Sequence, residues 1–114
     1  FHAADVKKAR LYITACGLYE ARLNGERVGS FILAPGITDY RKRVQYQTYD
    51  VTALLQDGEN TLTVQLADGW YRGSCGAWGL KNQYGNQAAG TAGAYPRRRQ
   101  RADRCHRRKL GLEQ

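Results

Sequence analysis

The residues best suited to binding chemistry stand close together in the second half of the chain. A glycine-flanked loop holds a carboxylate, two aromatic rings and a guanidinium, and a second tryptophan follows; the residues are Asp68, Trp70, Tyr71, Arg72 and Trp78. Sugars bind by stacking a C–H face on an aromatic ring while planar polar side chains hold the hydroxyl groups. These residues are candidates for carbohydrate binding, as in a free-standing carbohydrate-binding module, but we favour the alternative interpretation. The alternative is that Trp70 and Tyr71 pack against protein and that Arg72 pairs with a carboxylate.

Catalysis has little support in the sequence. The two histidines, His2 and His106, lie near the ends of the chain, so a nucleophile would lack a base. Glycoside cleavage needs two carboxyl groups at a set separation around the sugar. The candidates are Asp39, Asp50, Asp57, Glu59 and Asp68, but Asp50 fits a helix cap, and Asp57 and Glu59 fit turns. We predict no catalytic residue in this chain.

The sequence predicts neither a metal site nor a cofactor. Cys16, Cys75 and Cys105 lack CxxC or CxxH spacing, which favours unpaired thiols, although a pair between Cys16 and Cys75 stays open. There is no Asp-x-Asp run for Ca²⁺. The glycines of the first half lie in turns without a following helix, so there is no nucleotide fingerprint either.

The elements that position these residues are predicted to be short strands. Residues 6–14 alternate in the manner of a half-buried strand, and so do residues 61–66. Asn24 and Gly25 stand between apolar residues and predict a tight hairpin, because both central residues of a type I′ turn need a positive φ. Asp50 begins one helical turn. Strands joined by turns predict an all-β fold, an antiparallel β-sandwich.

The positive charge of the chain is concentrated at one end. The net charge is +8, but residues 1–87 hold 10 Lys+Arg and 8 Asp+Glu (10 − 8 = +2), whereas residues 88–114 hold 8 and 2 (8 − 2 = +6). After residue 87 the chain turns to Ala, Gly and Arg, with few apolar side chains to bury. We predict two parts, a domain at 1–87 and a disordered basic tail at 88–114. Such a tail could bind nucleic acid through Arg97 to Lys109, a rival function that we do not favour.

A shift of reading frame explains the tail better than a basic arm does. Read one nucleotide later, the codons of residues 87–113 permit KLLAQLELTLADGSERTVVTDESWAWS. This string alternates like a strand, contains an Ala-Asp-Gly turn and resumes a strand pattern. We therefore expect the tail to be a frameshift product and the sandwich to be incomplete, with open edges and marginal stability.

Seven short segments together resemble a known family: 9–15 (ARLYITA), 17–20 (GLYE), 24–25 (NG), 33–36 (LAPG), 38–40 (TDY), 44–52 (VQYQTYDVT) and 69–73 (GWYRG). Over residues 6–87 the chain is similar to the N-terminal β-sandwich domain of bacterial α-L-rhamnosidases, glycoside hydrolase family 78. The resemblance implies a jelly-roll, galactose-binding-like domain without a cofactor. The parent enzyme would be an inverting hydrolase that removes terminal L-rhamnose.

The resemblance also implies partners. The catalytic acids of the family lie in a separate (α/α)₆ barrel, which this sequence does not contain. The domain would brace that barrel and could contact rhamnose-containing saccharides. No apolar run approaches the roughly 20 residues of a membrane span, and no signal-peptide pattern is visible. We therefore expect a cytoplasmic protein without a membrane partner.

Overall fold

The computed structural model describes residues 1–76, 79–87, 89–98 and 110–111. Nine strands, one 3₁₀ turn and one short helix lie in these residues: β1 (His2–Ala3), β2 (Val6–Cys16), β3 (Leu18–Leu23), β4 (Glu26–Arg27), β5 (Gln47–Asp50), the 3₁₀ turn (Thr52–Leu54), β6 (Gly58–Glu59), β7 (Leu62–Ala67), α1 (Gly69–Arg72), β8 (Ala89–Arg98) and β9 (Leu110–Gly111). None of the helices in the described residues is long and apolar enough to cross a membrane.

The strands form antiparallel sheets around one apolar core. One sheet has the order β5-β2-β8-β9, a second has the order β4-β3-β7, and β1 pairs with β6. Leu11 and Ile13 of β2 and Ala21 and Leu23 of β3 are each 1–2% exposed. Alternate residues of both strands therefore point into the core, as the alternating pattern requires. The predicted all-β antiparallel sandwich is confirmed.

The Asn24-Gly25 hairpin forms where the sequence predicts it. Asn24 has φ 53° and Gly25 has φ 86°, and Leu23 pairs with Glu26 across the turn. The return strand β4 is short, because the chain turns at Gly29, whose φ is 71°. A Cβ atom at Gly29 would overlap Cε1 of Tyr49, so only glycine fits against that ring.

A buried amide joins this hairpin to the segment between the 3₁₀ turn and β7. Asn60 is 2% exposed, and its Oδ1 accepts hydrogen bonds from Asn24 Nδ2 (2.8 Å) and from the backbone N–H of Gln56 (3.0 Å). Its Nδ2 donates to the carbonyl groups of Gln56 (2.8 Å) and Gly58 (3.0 Å). Asn24 in turn accepts a bond at Oδ1 from the N–H of Thr61 (2.9 Å). The amide of Asn60 thus meets its hydrogen-bonding capacity without water.

The turn after β5 depends on Asp50. Its Oδ1 accepts hydrogen bonds from the backbone N–H and the hydroxyl of Thr52, at 3.0 and 2.5 Å. These two bonds are the main reason why the pKa of the Asp50 carboxyl lies below its usual value. Val51 occupies the position before the 3₁₀ turn and is buried in the core. The carboxylate of Asp50 therefore orders the chain at the point where the sequence predicts a helical turn.

The structure of the chain after residue 87 differs from what its composition predicts. Its basic, alanine-rich sequence predicts disorder, but Ala89–Arg98 forms β8 and pairs with β2 from Cys16 to Val6. The free edge of β2 offers a row of backbone N–H and C=O groups, and pairing satisfies them whatever side chains the partner carries. Most of residues 99–114 lie outside the described residues. Nucleic-acid binding through Arg97 to Lys109 therefore stays a prediction.

Candidate functional site

The predicted sugar-binding loop is a single helical turn. Helix α1 follows Asp68, whose carbonyl accepts the N–H of Arg72 at 3.2 Å, and the N–H of Gly73 donates to Gly69 at 3.1 Å. Gly69 has φ 50°, and a Cβ there would lie 2.7 Å from Cγ of Leu18. Glycine therefore lets the turn approach the start of β3, which fixes α1 to the sandwich.

A polar cleft opens beside α1. Its volume is about 440 Å³, and it is lined by Asp68, Arg72, Gly73, Ser74, Lys81, Asn82 and Asn86. The backbone N–H of Asn82 donates to the carbonyl of Arg72 at 2.9 Å, which holds the second wall against the helix. The lining offers one carboxylate, two cations and two amides, which suits a ligand rich in hydroxyl groups.

Asp68 and Arg72 meet in this cleft. Nε of Arg72 lies 3.3 Å from Oδ1 of Asp68, four residues earlier on the same helical face, and the two side chains are 41% and 47% exposed. An exposed pair of this kind contributes about 1 kcal/mol or less. A ligand hydroxyl group can therefore replace one partner at small cost.

Tyr71 points away from the cleft into a cluster of tyrosines. Its ring centroid lies 5.2 Å from that of the buried Tyr40 in an edge-to-face arrangement, and 6.2 Å from the stacked ring of Tyr84. The guanidinium of Arg41 lies 5.3 Å from the centroid of Tyr84. Gly85 completes the enclosure, since a Cβ there would lie 2.5 Å from the hydroxyl of Tyr71. Tyr71 is thus a packing residue, as the alternative interpretation expected.

Only one of the two tryptophans, Trp70, lies in the described residues. Trp70 is half-buried on α1 and is not among the residues that line the cleft. Trp78 lies outside the described residues. The structure thus brings Asp68 and Arg72 together at the cleft and separates Tyr71 from them.

Five lining residues are not among the predicted site residues: Gly73 and Ser74 directly follow the loop, and three lie further along the chain, Lys81, Asn82 and Asn86. These three follow the loop by about ten residues and carry no motif, and backbone hydrogen bonds from Asn82 to Arg72 (2.9 Å) and from Tyr84 to Tyr71 (3.4 Å) bring them to α1. One signal is present at Asn82, which adopts φ 55°. Asparagine tolerates that conformation and so marks a tight turn.

Neither a metal site nor a disulfide lies in the part of the chain that the structure describes. No group of three or more His, Cys, Asp or Glu side chains there could hold a metal ion. Cys16 and Cys75 are not bonded to each other, and burial raises the pKa of the Cys16 thiol. The Cys16–Cys75 disulfide that the sequence left open does not form.

Comparison with known proteins agrees with the antiparallel β-sandwich. Residues 4–95 match the alpha-L-rhamnosidase N-terminal domain family. The chain therefore belongs to the α-L-rhamnosidase N-terminal domain family, as the seven segments predict.

Individual relatives support this assignment. An alpha-L-rhamnosidase of Streptomyces avermitilis is 61% identical over 84 residues, which are 74% of this chain and 8% of that protein. The crystal structure of the Streptomyces avermitilis enzyme complexed with L-rhamnose superimposes with a TM-score of 0.84 at 47% identity, over 96% of this chain and 10% of that one. The native enzyme of Aspergillus terreus gives a TM-score of 0.87 at 38% identity, over 99% and 13%. The chain thus spans about a tenth of these enzymes and corresponds to their N-terminal domain.

Proposed function

We propose that this chain is a non-catalytic accessory domain that supports the catalytic part of an α-L-rhamnosidase. The observation that carries the proposal is the match of residues 4–95 to an N-terminal domain, together with the 8% share of the relative's length. The parent enzyme would hydrolyse terminal L-rhamnose from glycosides, and its (α/α)₆ barrel would be the partner of this domain.

The described carboxylates support a role without catalysis. Glycoside hydrolysis needs one carboxyl group to protonate the leaving oxygen and a second to activate water or attack the sugar. Asp39 instead pairs with Arg41 (3.4 Å) and Lys42 (3.9 Å) in its own turn. Asp50 accepts bonds from Thr52, and Asp68 pairs with Arg72. Each of these carboxylates is engaged by residues within four positions of it, which is how turns are stabilised.

A domain exchange tests the proposal. The matched segment of the Streptomyces avermitilis rhamnosidase is replaced by residues 4–95 of this chain, and a second variant of that enzyme lacks the segment. We expect the exchanged enzyme to retain rhamnosidase activity and its melting temperature, and the deleted enzyme to lose stability or activity. The chain alone, assayed with an aryl α-L-rhamnoside, should show no turnover. Turnover by the chain alone, or a deletion without effect, would overturn the proposal.

Carbohydrate binding at the cleft is the second candidate function, and the polar lining around Asp68 and Arg72 favours it. It is tested on the whole chain by titration with L-rhamnose, followed by NMR. Arg72→Ala should abolish the shifts, whereas Tyr71→Phe should leave them unchanged, because Tyr71 faces the tyrosine cluster. If Trp70→Ala abolished binding and Arg72→Ala did not, the sugar would bind by stacking on the ring of Trp70 and not in the polar cleft.

A further inference from the structure

The largest exposed apolar surface among the described residues is a loop between β4 and β5. Four large apolar side chains are more than half exposed there, and we call them the apolar tip: Phe31 (53%), Ile32 (71%), Leu33 (54%) and Ile37 (53%). Scattered exposed apolar residues are normal on protein surfaces, but a run of this kind marks an interaction site.

The base of the loop is fixed to the sandwich. Ala34 and Pro35 are fully buried at the centre of the loop. The carbonyl of Ala34 accepts the N–H of Tyr19 in β3 at 2.8 Å. The carbonyl of Pro35 accepts Nε2 of Gln47 in β5 at 3.4 Å, and that of Gly36 accepts the hydroxyl of Tyr40 at 2.9 Å. The apolar tip is therefore presented by an anchored loop and is not the outcome of local unfolding.

The conformation at the end of the tip is unusual for its residue. Leu33 has φ 59°, and its carbonyl accepts the N–H of Gly36 at 2.9 Å to close a turn. A left-handed conformation costs a residue with a Cβ about 1–2 kcal/mol, and turns normally place glycine or asparagine there. Leu33 carries this strain while it is 54% exposed, so the domain covers less than half of it. Strain of this kind points to a contact outside the domain.

The size of the tip decides between a second copy and a tethered partner. The tip presents four apolar side chains, each between 53% and 71% exposed, whereas a stable interface has about 20–30 residues on each side. A stable interface between separate proteins buries roughly 800 Å² on each side. Interfaces between domains of one chain begin at roughly 600 Å² in total, because the tether supplies a high effective concentration. The tip fits a tethered partner and is too small for a second copy.

We propose that the apolar tip is the docking surface for the remainder of the α-L-rhamnosidase polypeptide, where it meets an apolar patch. This inference rests on the proposed function, since the relatives carry this domain as about a tenth of a longer chain. The strained, anchored turn presents the tip to that partner in a preformed shape.

Hydrogen exchange on the exchanged enzyme tests the docking surface. The amides of residues 30–37 are compared between the isolated 114-residue chain and the Streptomyces avermitilis enzyme that carries residues 4–95. We expect about tenfold slower exchange in the enzyme, because docking closes the tip to water. The double variant Phe31→Ser, Ile32→Ser should remove that protection. The matched control Tyr46→Ser, Leu80→Ser changes two other exposed apolar residues, 65% and 50% exposed, and should keep it.

The outcomes separate this proposal from the proposed function. Equal exchange in the two proteins, or protection that survives the tip variant, would overturn the docking surface. If deletion of the domain still impairs the enzyme in that case, the accessory function stands and only its surface is wrong. The tip variant should leave the unfolding midpoint of the isolated chain unchanged, because its side chains are exposed. If the isolated chain sedimented as a dimer and the tip variant as a monomer, the partner of the tip would be a second copy of the chain instead.

Discussion

The two ends of the sandwich core are closed in different ways. At the hairpin end, Asn24 and Asn60 join three segments, and no buried side-chain nitrogen or oxygen in the described residues lacks a partner. At the β8 end, the strand pairs with β2 along its length, and Ala92 joins the buried core. Positions 90, 92, 94 and 96 lie opposite Ala15, Ile13, Leu11 and Ala9, and directly opposed residues share a face of the sheet.

The residue types at these positions explain the difference. Opposite Ala15 and Ile13, β8 places the small residues Gly90 and Ala92, whereas β2 contributes Leu11 and Ile13 to the core. Leu62, Val64 and Leu66 of β7 pack against the core but remain only half-buried. One end of this domain is therefore completed by specific hydrogen-bonding side chains, and the other by a strand whose described core-facing residues are the small Gly90 and Ala92.

The largest expected effect comes from restoring side chains to β8. The shifted reading KLLAQLELTLADGSERTVVTDESWAWS places leucine at positions 92, 94 and 96, opposite the buried residues of β2, and polar residues between them. A chain carrying this reading from residue 87 should gain roughly 4 kcal/mol in free energy of unfolding, since each buried leucine contributes about 1.5–3 kcal/mol. Urea denaturation measures the gain.

The matched control moves the three leucines by one position, to 91, 93 and 95. A slip of one residue turns every side chain to the other face, so this control should gain nothing and should aggregate. Equal stability of the two chains would contradict the frameshift interpretation. Sequencing the coding DNA from codon 85 onward, in all frames, gives an independent check.

The next largest effect is expected at the opposite end of the core. Asn60→Ala removes the acceptor for Asn24 and Gln56 and leaves the carbonyl groups of Gln56 and Gly58 without their donor. Unsatisfied buried groups cost about 1–3 kcal/mol each, so we expect a loss of roughly 3 kcal/mol in free energy of unfolding. Asn86→Ala, the same change at an exposed position, should cost less than about 0.5 kcal/mol. A small effect at Asn60 would show that both ends are loosely closed.

Two glycines compare the packing of the two ends directly. A Cβ at Gly29 would overlap the ring of Tyr49, whereas at Gly90 it would lie 3.2 Å from Cδ2 of Leu66, the flexible end of a side chain. We expect Gly29→Ala to cost about 2–3 kcal/mol through clash and positive φ. Gly90→Ala should change the free energy of unfolding by less than about 1 kcal/mol, and the lower entropy of its unfolded chain favours a gain.

Gly25→Ala separates strain from clash in the same measurement. Gly25 has φ 86° and no atom within 4 Å of its would-be Cβ. The loss in free energy of unfolding caused by Gly25→Ala therefore measures only the cost of a positive φ for a residue with a Cβ, about 1–2 kcal/mol. If Gly29→Ala costs no more than Gly25→Ala, the hairpin end is not tightly packed, and the contrast with β8 fails.

The sequence predicts those parts of the fold that local physics decides. The hairpin at Asn24 and Gly25 follows from the need for positive φ, and the buried faces of β2 and β3 follow from alternation. β8 could not be predicted, because it is selected by the free edge of β2 and not by its own side chains. The cleft was half predicted: Asp68 and Arg72 are neighbours along the helix, whereas Lys81, Asn82 and Asn86 reach it through backbone contacts that leave no pattern in the sequence.

The smallest effect is a pH dependence at Asp50, where β5 leaves the sheet next to the core residue Val51. Hydrogen bonds from Thr52, with a smaller contribution from Lys8 at 3.9 Å, lower the pKa of this carboxyl below its usual 3.8. The unfolded chain therefore binds the proton more readily. The stabilisation is complete above pH 3.8 and is lost as the pH falls through the lower pKa of the folded state. Asp50→Asn removes this component, so the difference in unfolding midpoint between the two chains should stay constant from about pH 6 to about pH 4 and shrink on further acidification. Asp57→Asn, which removes a carboxylate from an exposed turn, controls for net charge. If the difference in unfolding midpoint between the chain and Asp50→Asn stayed constant at every pH, the charge of Asp50 would not be needed for its bonds to Thr52. The hairpin end would then be closed by the amides of Asn24 and Asn60 alone.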